Sequence, residues 1–291
     1  MIGKNILVKY PNYCGKASCP AVSRREEVSM RIIGGFFQTI VGFSYAVLYL
    51  VFSFPVLAVM YFRMKNRDRY REDIRNLRMV QWGFRCVNAI CGLKITVIGF
   101  DNIPKDRPVL YVANHNSYFD IIISYSLCED RTGYIAKAGI EKVPSLNIWM
   151  RRLYCLFIQR DDMRQSMRVI QQAIDYINQG ISIAIFPEGT RGKSEEMLPF
   201  KPASFRIAEK TNCPVIPLAI SNTRHILGDH WPCVTRTHVI LEYGEPIYPD
   251  QLPKEERKHL SRIAQDRIRE MLDKNKDQPI YVRQMKSEGL L

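Results

Sequence analysis

Residues 109–120 read VLYVANHNSYFD, five apolar residues followed by a polar turn. The apolar part, Val109–Ala113, predicts a buried strand, and Phe119–Leu127 predicts the helix that follows it. His115 and Asp120 stand where the strand passes into the helix, so both side chains can lie above one edge of a sheet. A strand joined to a helix in this way is the repeating unit of an α/β fold.

The same alternation of strand and helix signals continues along the chain from Leu93. Ile181–Phe186 is an uninterrupted apolar run, typical of a strand buried on both faces. Met163–Asn178 has apolar residues at helical spacing and ends before Gly180. This order predicts an α/β domain with a mostly parallel sheet and helices on both sides. The other predicted strands are Lys94–Ile98, Gly133–Ala136 and Val215–Ile220, and the other predicted helices are Ser204–Lys210 and Lys254–Lys274.

The spacing of His115 and Asp120 suits a general base and the group that orients it. The carboxylate would accept one ring N–H and leave the other ring nitrogen free to take a proton. The alternative interpretation is an ordinary turn in which Asp120 only caps the helix.

The charge of the chain indicates an anionic partner. Its 291 residues include 42 Lys and Arg against 29 Asp and Glu, a formal net charge of +13. Nucleic acid and the anionic surface of a membrane, with its lipid phosphates, both fit this charge. Its placement favours the membrane, because Ile32–Phe62 contains no charged residue and a basic block follows at once, at residues 63–71. We therefore expect a membrane partner and no nucleic acid.

The apolar segment Ile32–Phe62 is 31 residues long. As a straight helix it would measure about 46 Å, against a hydrocarbon core of about 30 Å. It predicts either a tilted helix that crosses the bilayer or a helical hairpin that bends near residues 42–53. Positive charge on both flanks favours the hairpin, with both ends on the cytoplasmic side. A buried core helix of a soluble protein is the third interpretation.

Four segments are predicted along the chain. Residues 1–31 form a polar leader, 32–92 a membrane-anchoring helical segment with an amphipathic helix, 93–250 the catalytic domain, and 251–291 a charged helix and tail. The amphipathic helix, at residues 73–91, can either lie along a membrane surface or pack over the sheet. No cleavage site closes the apolar stretch, so we expect it to be retained.

The eight cysteines include no C-x-x-C pair and no zinc-ligand spacing. A reducing compartment with unpaired thiols is the simplest explanation, and no metal site is predicted. Cys14 and Cys19 lie in the leader and are too few for a tetrahedral metal site on their own.

A second motif, FPEGTR, occupies residues 186–191 at the end of a predicted buried strand. Ligands of open α/β sheets gather at the carboxyl ends of the strands. Gly189 allows close approach of the backbone, Thr190 offers a hydroxyl and a backbone N–H, and Arg191 offers a planar fork suited to a phosphate. The alternative is a simple turn with a solvated arginine.

The two motifs in this order resemble those of the PlsC-type glycerolipid acyltransferases, the family of 1-acylglycerol-3-phosphate (lysophosphatidate) acyltransferases. The resemblance extends over residues 95–246. Residues 156–160 are similar to the family's second block, whose arginine contacts the acceptor phosphate, and Arg160 is the matching residue. The departures from the family pattern are Tyr154 and Ala203 in place of Gly, and Gly192 in place of Ser.

The resemblance implies an enzyme, a 1-acylglycerol-3-phosphate O-acyltransferase of phospholipid biosynthesis. It would move a fatty acyl chain from acyl-CoA or acyl-carrier protein (ACP) to lysophosphatidate, forming phosphatidate without a cofactor or a covalent enzyme intermediate. The implied location is the cytoplasmic face of a bacterial cell membrane or of the endoplasmic reticulum. The implied residues are His115 as general base, Asp120 as its orienter, and Arg160, Gly189, Thr190 and Arg191 as the phosphate site, with Glu188 holding the arginines in place.

Two alternatives remain at this point. The departures could reshape the acceptor pocket, so the same chemistry on another lyso-lipid is the nearer one. A non-catalytic membrane protein that binds anionic lipid or nucleic acid is the more distant one. His225, His230 and His238 have no carboxylate at a spacing that would indicate a catalytic pair. We interpret them as structural or surface residues.

Overall fold

The computed structural model describes residues 24–63, 68–192, 194, 196–282 and 285. The first 23 residues, with Cys14 and Cys19, lie outside this part of the chain. Two long helices come first, α1 at Arg24–Arg63 and α2 at Arg69–Ile90. The strands are β1 (Lys94–Ile98), β2 (Leu110–Ala113), β3 (Thr132–Lys137), β4 (Leu156–Ile158), β5 (Ser182–Ile185), β6 (Val215–Ser221) and β7 (His238–Tyr243). The remaining helices are α3 (Phe119–Tyr125), α4 (Leu146–Arg152), α5 (Met163–Asn178), α6 (Arg206–Thr211), α7 (Arg224–Leu227), α8 (Lys254–Arg257) and α9 (Leu260–Lys274).

Within the described ranges the strands form a seven-stranded sheet in the order β1-β7-β6-β2-β5-β3-β4. Neighbouring strands are parallel except for β6 and β7. The prediction of an α/β fold with a mostly parallel sheet is therefore confirmed. Two strands were not predicted: β4 has only three residues, and β7 carries His238 and Glu242 within its apolar run.

Helices cover both faces of the sheet and bury its apolar side chains. On one face, α5, α6 and α9 pack against β5 and β6, and Ile207 and Ile268 are fully buried there. On the other face lie α2, α3 and α4, with Ile123 and Trp149 buried. Full burial of one such side chain contributes about 1.5–3 kcal/mol relative to leaving it exposed. The C-terminal helix α9 is therefore part of the same core as the sheet.

The N-terminal apolar segment is one continuous helix. The prediction of a hairpin that bends near residues 42–53 is wrong, because α1 runs without a break from Arg24 to Arg63. The buried-core interpretation is also excluded, since Phe43 and Phe52 are each 71% exposed. Ile33–Ser53 is long and apolar enough to cross a membrane by length and composition.

Helix α1 is attached to the rest of the molecule along one side. The Thr39 hydroxyl donates a hydrogen bond to the Pro232 carbonyl at 2.6 Å and accepts one from the Val234 N–H at 3.0 Å. Four turns further on, the indole N–H of Trp149 donates to the Ser53 hydroxyl at 2.9 Å. Thr39 and Ser53 are separated by about 21 Å along the helix. The α/β domain therefore contacts α1 at two well-separated places within its apolar part.

Helix α2 connects α1 to the sheet. The Tyr49 hydroxyl of α1 donates to the Met79 carbonyl at 2.7 Å. On the opposite side of α2, the amide of Gln81 donates to the carbonyls of Tyr125 and Cys128, at 3.2 and 2.6 Å. The amphipathic helix thus packs over the sheet, which is the second of the two predicted placements.

Candidate active site

The side chains of His115 and Asp120 meet at the carboxyl end of β2. His115 follows the strand by two residues, and Asp120 lies in the first turn of α3. The Nδ1 atom of His115 is 2.8 Å from Oδ2 of Asp120. Both residues are buried, Asp120 completely. The local sequence alone accounts for this pairing, because a tight turn separates the end of the strand from the start of the helix.

Four donors surround the carboxylate of Asp120. Besides the His115 ring, its Oδ2 accepts the backbone N–H groups of Asn116 at 2.7 Å and Ser117 at 2.8 Å. Its Oδ1 accepts a hydrogen bond from the hydroxyl of Thr223. A carboxylate that only accepts hydrogen bonds requires His115 to carry its proton on Nδ1. The Nε2 atom of His115 is then the unprotonated nitrogen, and it bonds to no described residue.

An aromatic side chain fixes the plane of the His115 ring. Phe186, the residue after β5, stacks on it with 4.2 Å between ring centroids and 20° between the planes. Because β5 and β2 are neighbours in the sheet, the two strand ends bring these rings together. The imidazole is held on one edge by a carboxylate and on one face by a phenyl ring.

Glu188 ties the FPEGTR loop to the backbone of His115. Its Oε1 accepts the His115 N–H at 2.7 Å, and its Oε2 accepts the Leu198 N–H at 2.9 Å. The loop is closed on the other side by the Gly192 N–H, which donates to the His115 carbonyl at 2.8 Å. Burial raises the pKa of Glu188, and the two N–H donors oppose that shift. Both carboxylate oxygens thus bond to backbone N–H groups, whereas the sequence had suggested that Glu188 holds the arginines.

Gly189 occupies a conformation that other residues adopt with strain, with φ at 74°. A Cβ at this position would also lie 2.8 Å from the Nζ atom of Lys201. The ammonium group of Lys201 therefore lies against the turn of the loop.

Thr190 and Arg191 are exposed at the tip of this loop. The guanidinium carbon of Arg191 lies 3.8 Å from the centre of the Tyr118 ring, so the cation rests on the aromatic face. Tyr118 belongs to the first motif and Arg191 to the second, so this contact brings a cation of the second motif onto the first. The sequence offered no reason to pair these two residues.

Arg160 lies further from His115 than the other predicted site residues. It follows β4, which is three places from β2 in the sheet. At about 4.8 Å between strands this is a lateral distance of about 14 Å. Partial burial lowers the pKa of its guanidinium, which remains charged at neutral pH. Arg160 thus follows a strand that ends at the same carboxyl edge of the sheet as β2, three places away.

Three comparisons with known proteins point to one family. A family model described as Acyltransferase matches residues 94–221, which include both motifs. A chloroplastic 1-acyl-sn-glycerol-3-phosphate acyltransferase of Brassica napus is 30% identical over 76% of this chain, and one of Arabidopsis thaliana is 29% identical over 75%. The crystal structure of the 1-acyl-sn-glycerophosphate (LPA) acyltransferase PlsC from Thermotoga maritima superposes with a TM-score of 0.74 at 28% identity, covering 85% of this chain and 98% of that one.

The chain belongs to the PlsC-type acyltransferase family. It spans 63% and 58% of the length of the Brassica napus and Arabidopsis thaliana relatives.

Two departures from the PlsC-type pattern have a structural explanation. Tyr154 has φ at 60°, the region that favours glycine, and its hydroxyl donates a hydrogen bond to the buried carboxylate of Asp73 on α2. At the other departure, a Cβ on Gly192 would lie 2.7 Å from Oδ1 of Asn116. The first departure links the sheet to α2, and the second leaves room for an asparagine directly after His115.

Sequence reasoning missed residues that this PlsC-type site needs for its shape. The amide of Asn114 bonds to both backbone groups of Ile220, with Nδ2 2.9 Å from its carbonyl oxygen and Oδ1 2.8 Å from its nitrogen. Thr223, which bonds to Asp120, follows the same strand β6. Both contacts become visible only when β6 is known to lie beside β2, since ligand-site residues gather at adjacent strand ends.

The other histidines lie outside this site. The expectation that none has a carboxylate partner is wrong for His225, whose Nδ1 is 2.9 Å from Oδ2 of Asp229 on the neighbouring turn. His238 is buried; its ring bonds to the Pro279 carbonyl and to the Thr96 hydroxyl, both at 2.9 Å, and burial lowers its pKa. Among the described residues no cluster of three or more His, Cys, Asp and Glu side chains could hold a metal ion.

Proposed function

We propose that this PlsC-type acyltransferase transfers a fatty acyl chain from a thioester, acyl-CoA or acyl-ACP, to the free hydroxyl of lysophosphatidate. The observation that supports this most directly is the orientation of His115, whose Nδ1–H is engaged by Asp120 while Nε2 bonds to no described residue. The Brassica napus and Arabidopsis thaliana relatives are named 1-acyl-sn-glycerol-3-phosphate acyltransferases, and the solved structure is named a 1-acyl-sn-glycerophosphate (LPA) acyltransferase, which supports lysophosphatidate as the acceptor.

The proposed reaction uses His115 as the base. Its Nε2 takes the proton of the acceptor hydroxyl as the oxygen attacks the thioester carbonyl carbon. Asp120 keeps the ring in the Nδ1–H tautomer and stabilises the imidazolium that forms. The tetrahedral intermediate then collapses, the carbon–sulfur bond breaks, and the leaving thiolate receives the proton from Nε2. The products are an ester and a free thiol, and His115 returns to its starting state.

The loop beside His115 supplies groups for the two negative charges. The backbone N–H groups of Thr190 and Arg191 bond to no other described residue, so we assign them to the oxyanion of the intermediate. The guanidinium of Arg191 and the ammonium of Lys201 would meet the acceptor phosphate, and Arg160 would add a cation at greater distance.

The exposed apolar side of α1 would anchor the enzyme to one face of a membrane. The α/β domain is hydrogen-bonded to both Thr39 and Ser53 of α1. If α1 crossed the bilayer, polar parts of the domain would therefore lie in the hydrocarbon core. We therefore propose that α1 lies along the membrane plane. Depth-dependent quenching of a fluorophore at Phe37→Cys and Phe52→Cys in vesicles tests this orientation: similar depths support it, and positions in opposite leaflets contradict it.

An acyl-transfer assay on purified protein in detergent, with lysophosphatidate and both donor types, tests the reaction. We expect His115→Ala to reduce kcat by about 10²- to 10⁴-fold with the fold intact by circular dichroism. The exposed His259 provides the control, because His259→Ala should leave kcat unchanged. Near-normal turnover in His115→Ala would refute the assignment.

The identity of the acceptor needs a separate measurement. Profiling lysophosphatidate against lyso-lipids without a terminal phosphate distinguishes this proposal from the alternative of another lyso-lipid acceptor. The exposed cation of Arg191 favours a phosphorylated acceptor. Equal turnover of acceptors with and without the terminal phosphate would contradict it.

A further inference from the structure

The ring of Phe186 covers one face of the His115 imidazole. The ring centroids are 4.2 Å apart and the planes are inclined by only 20°, so the two rings are stacked and not edge-on. Because the parallel strands β2 and β5 are neighbours, the residues that follow them meet at the carboxyl edge of the sheet. The order of the strands therefore brings an aromatic π face against the proposed base.

A second aromatic residue supports Phe186 in this position. Tyr134 of β3 pairs in register with Ala184, two residues before Phe186, and side chains two residues apart share a face of the sheet. The ring centroids of Tyr134 and Phe186 are 6.3 Å apart. The buried Tyr134 hydroxyl is 2.9 Å from the Ser124 hydroxyl, which donates to the Asp120 carbonyl at 2.5 Å. Helix α3 thus carries the carboxylate at the edge of the imidazole and also contacts the aromatic pair at its face.

The proposed reaction changes the charge on His115, and its surroundings must stabilise the charged form. His115 is buried, so little water is available to an imidazolium. Two carboxylates lie beside the residue: Asp120 bonds to Nδ1 at the edge of the ring, and Glu188 accepts the backbone N–H. The face of the ring is left to Phe186.

A π face attracts a cation more strongly than it attracts a neutral ring, because the aromatic quadrupole places negative charge on the face. For a desolvated contact the difference corresponds to about 5- to 30-fold in rate. The contact between Phe186 and His115 therefore becomes stronger as the proton arrives on Nε2. An interaction that is stronger in the transition state than in the ground state lowers the barrier.

We propose that Phe186 is a positioning residue whose π face stabilises the imidazolium form of His115, the form that acyl transfer generates. The proposal rests on the proposed function and adds a residue and its role. The proton taken from the acceptor hydroxyl gives the ring its positive charge. That charge is lost when Nε2 returns the proton to the leaving thiolate, and Phe186 itself exchanges no proton and forms no bond.

Fluorination of Phe186 tests this role at nearly constant shape. In the full-length protein in detergent, pentafluorophenylalanine at position 186 reverses the quadrupole of the ring and should lower kcat by about 5- to 30-fold. Trifluorophenylalanine should give an intermediate value. The KM for the acceptor should stay within about 2-fold of wild type, since Phe186 acts through His115. The same kcat in all three proteins would overturn the proposal and assign Phe186 to packing alone.

Phe100 is the matched control. It is half-buried like Phe186 and lies edge-on against Tyr243, with 5.5 Å between ring centroids. It follows β1, which runs parallel to β7 and therefore ends at the edge of the sheet opposite to His115. Pentafluorophenylalanine at position 100 should leave kcat unchanged. With natural residues, Phe186→Tyr keeps the ring and should retain most of the activity, whereas Phe186→Leu should lose as much as the pentafluoro protein.

A measurement without turnover separates this proposal from the proposed function. In an NMR titration, the His115 ring of the pentafluoro protein should take up its proton at a lower pH than in wild type, by about half a pH unit or more, because the charged ring has lost its π contact. An unchanged titration would overturn the role of Phe186, even in an active acyltransferase. A shifted titration in a protein that transfers no acyl chains would remove the proposed function and leave the aromatic contact.

Discussion

The side chain of Glu188 accepts the backbone N–H of His115 at 2.7 Å. This bond joins the loop after β5 to the residue proposed as the base, and the second carboxylate oxygen joins the same loop to the Leu198 N–H. Glu188 is buried, so both bonds are shielded from water. The carboxylate of Glu188 therefore holds the first motif against the second, with one backbone N–H on each of its oxygens.

We expect Glu188→Gln to weaken these two hydrogen bonds while the side chain keeps its size. One end of the amide would face a backbone N–H with its own N–H₂ group, leaving buried donors unpaired at a cost of about 1–3 kcal/mol. Urea denaturation should show that loss of stability, and kcat/KM should fall with it. The exposed Glu196 offers the control, since Glu196→Gln should change neither quantity. Wild-type stability in Glu188→Gln would show that the carboxylate is dispensable.

Thr223 is expected to affect the activity of His115 as a base, because it bonds to Asp120. Its hydroxyl donates to the carboxylate oxygen that does not face His115. Thr223→Val removes the donor at similar volume and should lower kcat by about 2- to 10-fold, the range expected from one net hydrogen bond of 0.5–1.5 kcal/mol. Thr223→Ser keeps the hydroxyl and should retain most of the activity. Equal losses in the two variants would assign the effect to packing.

The stacking of Arg191 on Tyr118 predicts a role in acceptor binding. Tyr118→Leu removes the aromatic face and should raise the KM for lysophosphatidate by about 2- to 5-fold, as expected for an exposed cation–π contact. The kcat should stay the same, because the hydrogen bonds of the His115 and Asp120 side chains come from other side chains and from backbone N–H groups. Tyr118→Phe keeps the ring and should behave as wild type. A lower kcat with an unchanged KM would contradict this interpretation.

The buried ring of His238 predicts a dependence of stability on pH. Its Nδ1–H donates to the Pro279 carbonyl and its Nε2 accepts from the Thr96 hydroxyl, so the neutral form fits the site. Burial lowers the pKa of His238 in the folded protein, whereas the unfolded chain titrates near 6.5. The unfolded state then binds more protons at acid pH, and stability is lost as the pH falls below about 6.5.

His238→Gln is the variant that isolates this effect. The wild type should lose free energy of unfolding between about pH 7 and pH 5, and the variant should lose less, because one titrating group is gone. Chemical denaturation at several pH values measures how the free energy of unfolding changes with pH in each protein. The same pH dependence in wild type and variant would show that another titrating group causes the loss of stability.

Several features could be predicted because they are local in the chain. The fold class followed from the alternation of apolar runs with helical spacing, and the pairing of His115 with Asp120 needed only a turn of five residues. The family followed from two short motifs in the right order. Such patterns record backbone preference and burial, both of which act over a few neighbouring residues.

Other features depended on the order of the strands. Glu188 is 73 residues from His115, and Thr223 is 103 residues from Asp120. Local patterns do not state which strands are neighbours, so neither contact could be derived from them. The hairpin prediction failed for a related reason, because charge on both flanks of α1 does not reveal whether the helix bends between them.

The sequence by itself determined the type of fold, the apolar helix and the side chains that meet at the end of β2. Only the tertiary structure decided how those side chains are held: by Phe186 against the ring, by Thr223 against Asp120, and by Glu188 against the backbone. The physical reason is that sheet pairing brings the ends of β2, β5 and β6 together. Each residue of the site then takes its partner from a strand distant in the chain.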